Sequence, residues 1–182
     1  MTYNSVEEIY TAIDATRERI YMRAEELDDE RAAYRSSEGA WSALEILEHL
    51  AMIEEGLTKM MEAMIAKVAS AVPKGDGERV AMEPFSLDEY AAQAAGRKFE
   101  APEIARPKGG QPRAELVQRL RRSREALRRL QPSIETADFS KVRYPHPAFG
   151  PLNIYQWLAF IGLHEGRHLR QMEAQLSSAQ SG

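Results

Sequence analysis

The chain has 182 residues, enough for one domain with its own core. Hydrophobic residues make up 43% and charged residues 29%, and the net charge is −4, so no general attraction to nucleic acid or acidic membranes follows. Cysteine is absent, which excludes disulfides, thiolate nucleophiles and cysteine-held metal. Any ion must be held by His, Asp or Glu, and any thiol chemistry must use a thiol from outside.

The opening MTYNSVEEIY has no basic start followed by an apolar run, so it does not read as a secretory signal. No stretch of about 18 apolar residues is present to span a membrane. A cytoplasmic location is the simplest expectation.

Periodicity predicts four amphipathic helices. The first spans about Ser5 to Leu27, with Val6, Ile9, Ile13, Ile20 and Leu27 on one face. The second spans Ser42 to about Ala69. Ser42 and Glu45 fit a capping box, Trp41 and Ile46 a hydrophobic staple, and Ile46, Leu50, Ile53, Leu57, Met60 and Met64 form the stripe. The methionines Met52, Met60, Met61 and Met64 read as core filler or dimer packing.

A long crossover, residues 71–111, follows. It carries Pro73, Gly75, Gly77, Pro84, Pro102, Pro107, Gly109 and Gly110. Ser86 and Glu89 fit a further capping box before a short helical piece at Tyr90. A connection of this length is usually functional or mobile. It is either a lid that selects substrate, with Phe85, Tyr90 and Phe99 as pocket candidates, or a crossover without a catalytic role.

The third helix spans about Pro112 to Leu130. Leu116, Leu120, Leu127 and Leu130 share one face, and Arg119, Arg121, Arg122, Arg124, Arg128 and Arg129 cover the others. Glu115 and Glu125 dilute this basic run, and it lacks the interleaved aromatics of single-strand binders, so it reads as a solvated face. A Pro-rich loop, DFSKVRYPHPAFGPL (138–152), leads to the fourth helix, about Asn153 to Leu176, with Asn153 and Gln156 as capping box and Leu152 and Trp157 as staple. The tail SSAQSG (177–182) is expected to fray. No strand is evident. Four helices with one long crossover give a single all-α domain, a four-helix bundle, an architecture that builds metal and cofactor sites from side chains on facing helices.

The final helix contains GLHEGRHLRQME (162–173). His164 and His168 are one turn apart, so both rings lie on one face, roughly shared with Trp157, Phe160, Ile161 and Gln171. Inward imidazoles are costly without partners, and a metal would supply one. His49 lies at the edge of the second helix's stripe. A lone histidine there is more often a satisfied core residue than a ligand, but with His164 and His168 it makes three of the four histidines inward-facing. His146, between Pro145 and Pro147, reads as a loop or site-rim residue. Three histidines without an obvious fourth ligand describe an open site, able to polarise a carbonyl, activate water or bind an incoming thiol.

The letters H-E-x-x-H also match the zinc proteases. Those proteases take a third ligand from downstream. Here 14 residues follow His168 and none is histidine, while Glu173, the sole downstream carboxylate, is rotated off the histidine face. A protease is therefore not expected. Glu165 is a weak catalytic candidate by its place in the motif, and otherwise an exposed glutamate.

The segments WSALEILEHL (41–50), HPAFGPL (146–152) and WLAFIGLHEGRHLRQM (157–172) together resemble the DinB-like (DinB/YfiT) metalloenzymes over nearly the whole chain. The resemblance implies an up-down-down-up bundle with its crossover between the second and third helices. It implies a three-histidine site at His49, His164 and His168, with Gln171 at a family position of uncertain role. It further implies a divalent metal, commonly zinc or nickel, and often a homodimer. Known relatives include transferases and isomerases that use bacillithiol, mycothiol or glutathione, so a small-molecule substrate and an external low-molecular-weight thiol are implied, without nucleic acid or membrane. The expected activity is metal-dependent S-transfer, with hydrolysis second. The competing expectation is a non-enzymatic bundle that binds metal or ligand.

Overall fold

The computed structural model describes residues 1–71, 78–95 and 100–179. The helices are α1 (Val6–Glu25), α2 (Asp29–Ala33), α3 (Ala43–Ala71), α4 (Asp88–Ala94), α5 (Arg113–Arg128), α6 (Gln131–Glu135) and α7 (Ile154–Ala179). The strands are β1 (Thr2–Tyr3), β2 (Phe85–Ser86), β3 (Arg143–His146) and β4 (Gly150–Asn153). The crossover expected at 71–111 thus contains β2, α4 and a 3-10 turn at Glu103–Ala105. Its residues 72–77 and 96–99, Phe99 included, lie outside the described residues. The last helix runs to Ala179, and residues 180–182 of the expected tail also lie outside.

The caps explain the helix starts. Ser5 accepts from the Glu8 N–H at 3.1 Å and Asp28 from the Arg31 N–H at 2.8 Å. Both capping boxes close reciprocally. Ser42 and Glu45 exchange bonds of 2.9 and 3.3 Å, and Asn153 and Gln156 bonds of 2.9 and 3.0 Å. Each such cap stabilises its helix by roughly 0.5–2 kcal/mol. At the short α4, Ser86 instead accepts from Asp88, at 3.0 Å.

Cross-helix contacts fix the directions. Tyr10 meets Leu127, Arg17 meets Leu120, and Arg113 meets Ala24, so α1 and α5 are antiparallel. Ile13 meets Gly162, Arg17 meets Glu165, and Arg23 meets Glu173, so α1 and α7 are parallel. Glu48 meets Gln111 and Glu55 meets Arg119, so α3 and α5 are parallel. The result is the up-down-down-up bundle, with α1 beside α7 and α5, and α3 beside α5 and α7. Gly162 permits the close approach of α1, since a Cβ there would lie 3.1 Å from Ile13 Cγ2.

Two expectations need correction. Strands are present: β1 pairs with β2, and β3 with β4, both antiparallel. The second pair is a largely exposed hairpin that buries only Leu152, and its turn ends at Gly150, at φ +74°. It sets Pro145 opposite Pro151, and two-stranded pairing leaves edges where a missing proline N–H costs little. The arginines of α5 are also not simply a solvated face. Arg124 is buried, Arg119 makes two 2.7 Å bonds to Glu55, and Arg121 lies 4.4 Å from the Tyr21 ring centroid.

The apolar core has two parts. One gathers Ile9, Ile13, Leu127, Leu158 and Ile161; the other gathers Ile20, Leu50, Leu120 and Leu169. Between them in the sequence of each bundle helix lies a buried charge: Arg17, Glu54, Arg124 and Glu165. Arg17 donates to Glu165 Oε1 through Nε at 3.1 Å, and lies 3.1 Å from Glu54 Oε2 through Nη1. Arg124 donates to Glu54 at 2.7 Å, to Glu165 at 2.8 Å and to Asp14 at 2.8 Å. Burial lowers the pKa of both guanidiniums, but the carboxylates more than offset it and leave both raised. No described helix is long and apolar enough to cross a membrane.

Candidate metal centre

Antiparallel packing of α3 on α7 brings His49 against His164 and His168. One ring nitrogen from each lies within 4.8 Å of the others. The ring centroids are 5.2 Å apart for His49 and His164, 4.8 Å for His49 and His168, and 4.6 Å for His164 and His168. Among the described residues no carboxylate joins this group.

Hydrogen bonding sets two of the rings. His49 Nδ1 donates to the Ala105 carbonyl at 2.7 Å, and His168 Nδ1 donates to Gln171 Oε1 at 3.0 Å. Each bond places the proton on Nδ1 and leaves Nε2 with its lone pair, as outer partners of metal-binding histidines do. His49 Nε2 lies 3.2 Å from His164 Nε2. At that distance the pair needs a shared proton or a shared cation between them.

Burial keeps the rings neutral. It pulls the His49 pKa down, partly opposed by the Ala105 bond. It pulls His168 down to about 3, with the neighbouring His49 and the Arg167 charge further opposing protonation. His164 is held well below its ordinary value by burial first, then by His168, His49 and Arg167. Neutral imidazoles are the form that binds metal. The donor set therefore fits a divalent ion such as zinc or nickel.

The site's surroundings separate the other candidates. Gln171 is an outer partner of His168. Trp41, expected only as a staple, forms a wall, with its ring 4.8 Å from His49 and stacked on His168 at 6.1 Å. His146 ends β3 and stays outside the trio. Its ring packs on Phe149, Trp157 and Phe160 at 4.9, 4.9 and 4.6 Å. Phe160 lies one turn before His164, so this aromatic cluster borders the histidines. Trp157 ties it down through a 3.2 Å bond from Nε1 to the Tyr144 carbonyl. Tyr90 meets Phe149 edge-on at 5.5 Å, whereas Phe85 packs on Tyr3 at 5.6 Å.

Glu165 is neither an exposed glutamate nor turned to the histidines. Only 1% of it is exposed, and Oε1 accepts from both Arg17 and Arg124. Its neighbour His164 faces α3, while the 100° turn per residue carries Glu165 toward α1 and α5. Glu173 meets Arg19 and Arg23 on α1, off the site as expected. Sequence reasoning missed the Ala105 carbonyl, because a backbone acceptor in an irregular segment leaves no side-chain signature. It also missed the charged layer, although Arg17 sits at inward spacing between Ile13 and Ile20.

Comparison with known proteins agrees with this architecture. YuaE of Bacillus subtilis (strain 168), an uncharacterised protein, is 34% identical over 152 residues, covering 81% of this chain and 84% of its own. The crystal structure of TT2238, a four-helix bundle protein, superposes with a TM-score of 0.61 at 21% identity, covering 93% of this chain and 99% of that one, which shows the shared fold. The DinB superfamily model matches residues 12–172, and on that match this chain, a bundle with a three-histidine cluster, belongs to the DinB superfamily.

Proposed function

We propose that the chain is a divalent-metal-dependent enzyme whose ion is held by His49, His164 and His168. The observation that carries this is the convergence of three neutral imidazoles, His49 and His168 buried and His164 half-buried, with their ring nitrogens within 4.8 Å and two of the tautomers set by Ala105 and Gln171. An ion with three protein ligands supplies Lewis acidity and keeps a position for an incoming group. The chain's own residues favour particular chemistry there. The Arg167 charge acts on all three histidines, so the site favours an anionic group. The ring cluster of His146, Phe149 and Phe160 offers an apolar wall beside it. A small electrophile with an apolar part, from which the thiolate of an external low-molecular-weight thiol displaces a leaving group, suits both features and the S-transfer that the family resemblance implies.

The test is elemental analysis of untagged protein beside His49→Ala and His168→Ala. About one zinc or nickel per chain, lost in both variants, is expected for a three-ligand site. Metal-loaded protein is then assayed with bacillithiol, mycothiol and glutathione against an alkylating electrophile. A chain that stays metal-free after reloading removes the catalytic reading. A loaded chain inert to every thiol removes S-transfer.

A further inference from the structure

The residue before His49 has no place in the site, yet it is among the most heavily bonded carboxylates in the molecule. Glu48 is 3% exposed. Its Oε2 accepts from the backbone N–H groups of Lys108 at 3.1 Å and Gly109 at 2.8 Å, and its Oε1 accepts from the side-chain amide Nε2 of Gln111 at 3.0 Å. The backbone forms this cradle because Gly109 and Gly110 sit at φ +73° and +82°, a left-handed pair that only glycine adopts freely. The same stretch of the crossover, three residues before Lys108, carries Ala105, whose carbonyl holds the His49 ring. Glu48 and His49 are thus two successive anchor points on α3 for one strap, residues 105–111.

We infer that Glu48 is a positioning residue: by clamping the Lys108–Gln111 turn it fixes the Ala105 carbonyl over His49, and so sets the His49 tautomer and the geometry of the ligand trio. Without the clamp the 105–111 strap has one remaining side-chain bond to α3 near the site, the His49 bond itself. The ring is then free to move its proton between its nitrogens, and the states with the proton on Nε2 present N–H rather than a lone pair to the ion. This deepens the metal reading and rests on it for affinity alone. The tautomer is a property of the metal-free protein.

Three variants separate the possibilities. Glu48→Ala removes the clamp, Glu48→Gln keeps an acceptor for the two N–H groups, and the double variant Gly109→Ala, Gly110→Ala breaks the cradle from the other side. An added Cβ at either glycine meets nothing within 4 Å, so the double variant acts through backbone conformation alone. Glu55→Gln removes a carboxylate from the same helix, away from the strap, and serves as control. Nitrogen-15 NMR of the metal-free proteins reads the His49 tautomer, and zinc affinity is read by competition with a chromophoric chelator. The wild type and Glu55→Gln should show His49 with its proton on Nδ1. Glu48→Ala and the double glycine variant should show mixed tautomers and about tenfold weaker zinc binding, as loss of an outer partner does, with Glu48→Gln between them and the wild type. Folded Glu48→Ala or glycine variants that keep a single Nδ1–H tautomer would overturn the inference. If Glu48→Ala does not fold, the glycine pair decides it. A wild type that binds no zinc would defeat the metal reading, while the tautomers still decide the role of Glu48.

Discussion

Replacing Arg17 with methionine tests whether the charged layer holds the bundle together. Arg17 is 1% exposed and serves two carboxylates and the Leu120 carbonyl. Methionine fills much of the volume but leaves Glu54 and Glu165 to share Arg124. An ion pair near 4 Å interacts by about 4 kcal/mol at an effective dielectric of 20. Measured losses on removing one partner of a buried pair are about 3–5 kcal/mol. Unfolding entropy near 2.1 cal/mol/K per residue gives this chain roughly 0.4 kcal/mol/K, so Tm should fall by about 8–13 °C. Scanning calorimetry of the metal-free protein measures it. The double variant Arg17→Met, Glu165→Met removes one charge of each sign and should recover part of the loss. A fall of under about 3 °C, or a double variant no better than the single, would refute the claim that Arg17 is held by desolvated carboxylates.

Two further predictions concern the histidines. Gln171→Ala removes the bond that sets His168 and should weaken zinc binding by roughly 10–100-fold in chelator competition; unchanged affinity would show that Gln171 does not orient the ring. The metal-free protein should lose stability as pH falls. Burial holds the histidine pKa values below 6.5, with His168 at about 3, so below about 6.5 the unfolded chain binds protons that the folded state refuses. Stability is intact above that pH and declines toward 3. A Tm that stays flat in melts from about pH 7 to about pH 5 would contradict this.

The parts of the fold that were legible in the sequence are those written in local periods. Ser42 with Glu45, and Asn153 with Gln156, announce two helix starts within four residues of chain, and both boxes form. His164 and His168 share a face by spacing alone, and His49 is marked by the stripe around it. What stayed hidden depends on which helix lies opposite. Arg124 reads as solvated among five other arginines of its helix until α5 is known to run parallel to α3 and antiparallel to α1, which delivers Glu54 and Asp14 to it. The β3–β4 hairpin was masked because prolines argue against strands, and only the register shows them facing each other across an exposed pair.

The parallel packing of α1 on α7 also orders events in time. Arg17 and Glu165 are 148 residues apart, and His49 precedes His164 by 115. Closing such long loops is slow compared with forming local helix pairs. A chain leaving the ribosome at about 5–20 residues per second exposes α1 and α3 for many seconds before α7 appears. During that interval Arg17 and His49 have no partner from the last helix. On the proposed metal reading, the three-histidine site is complete only once α7 has joined the bundle, so a cell that limits free metal would act on the finished protein and not on its nascent chain.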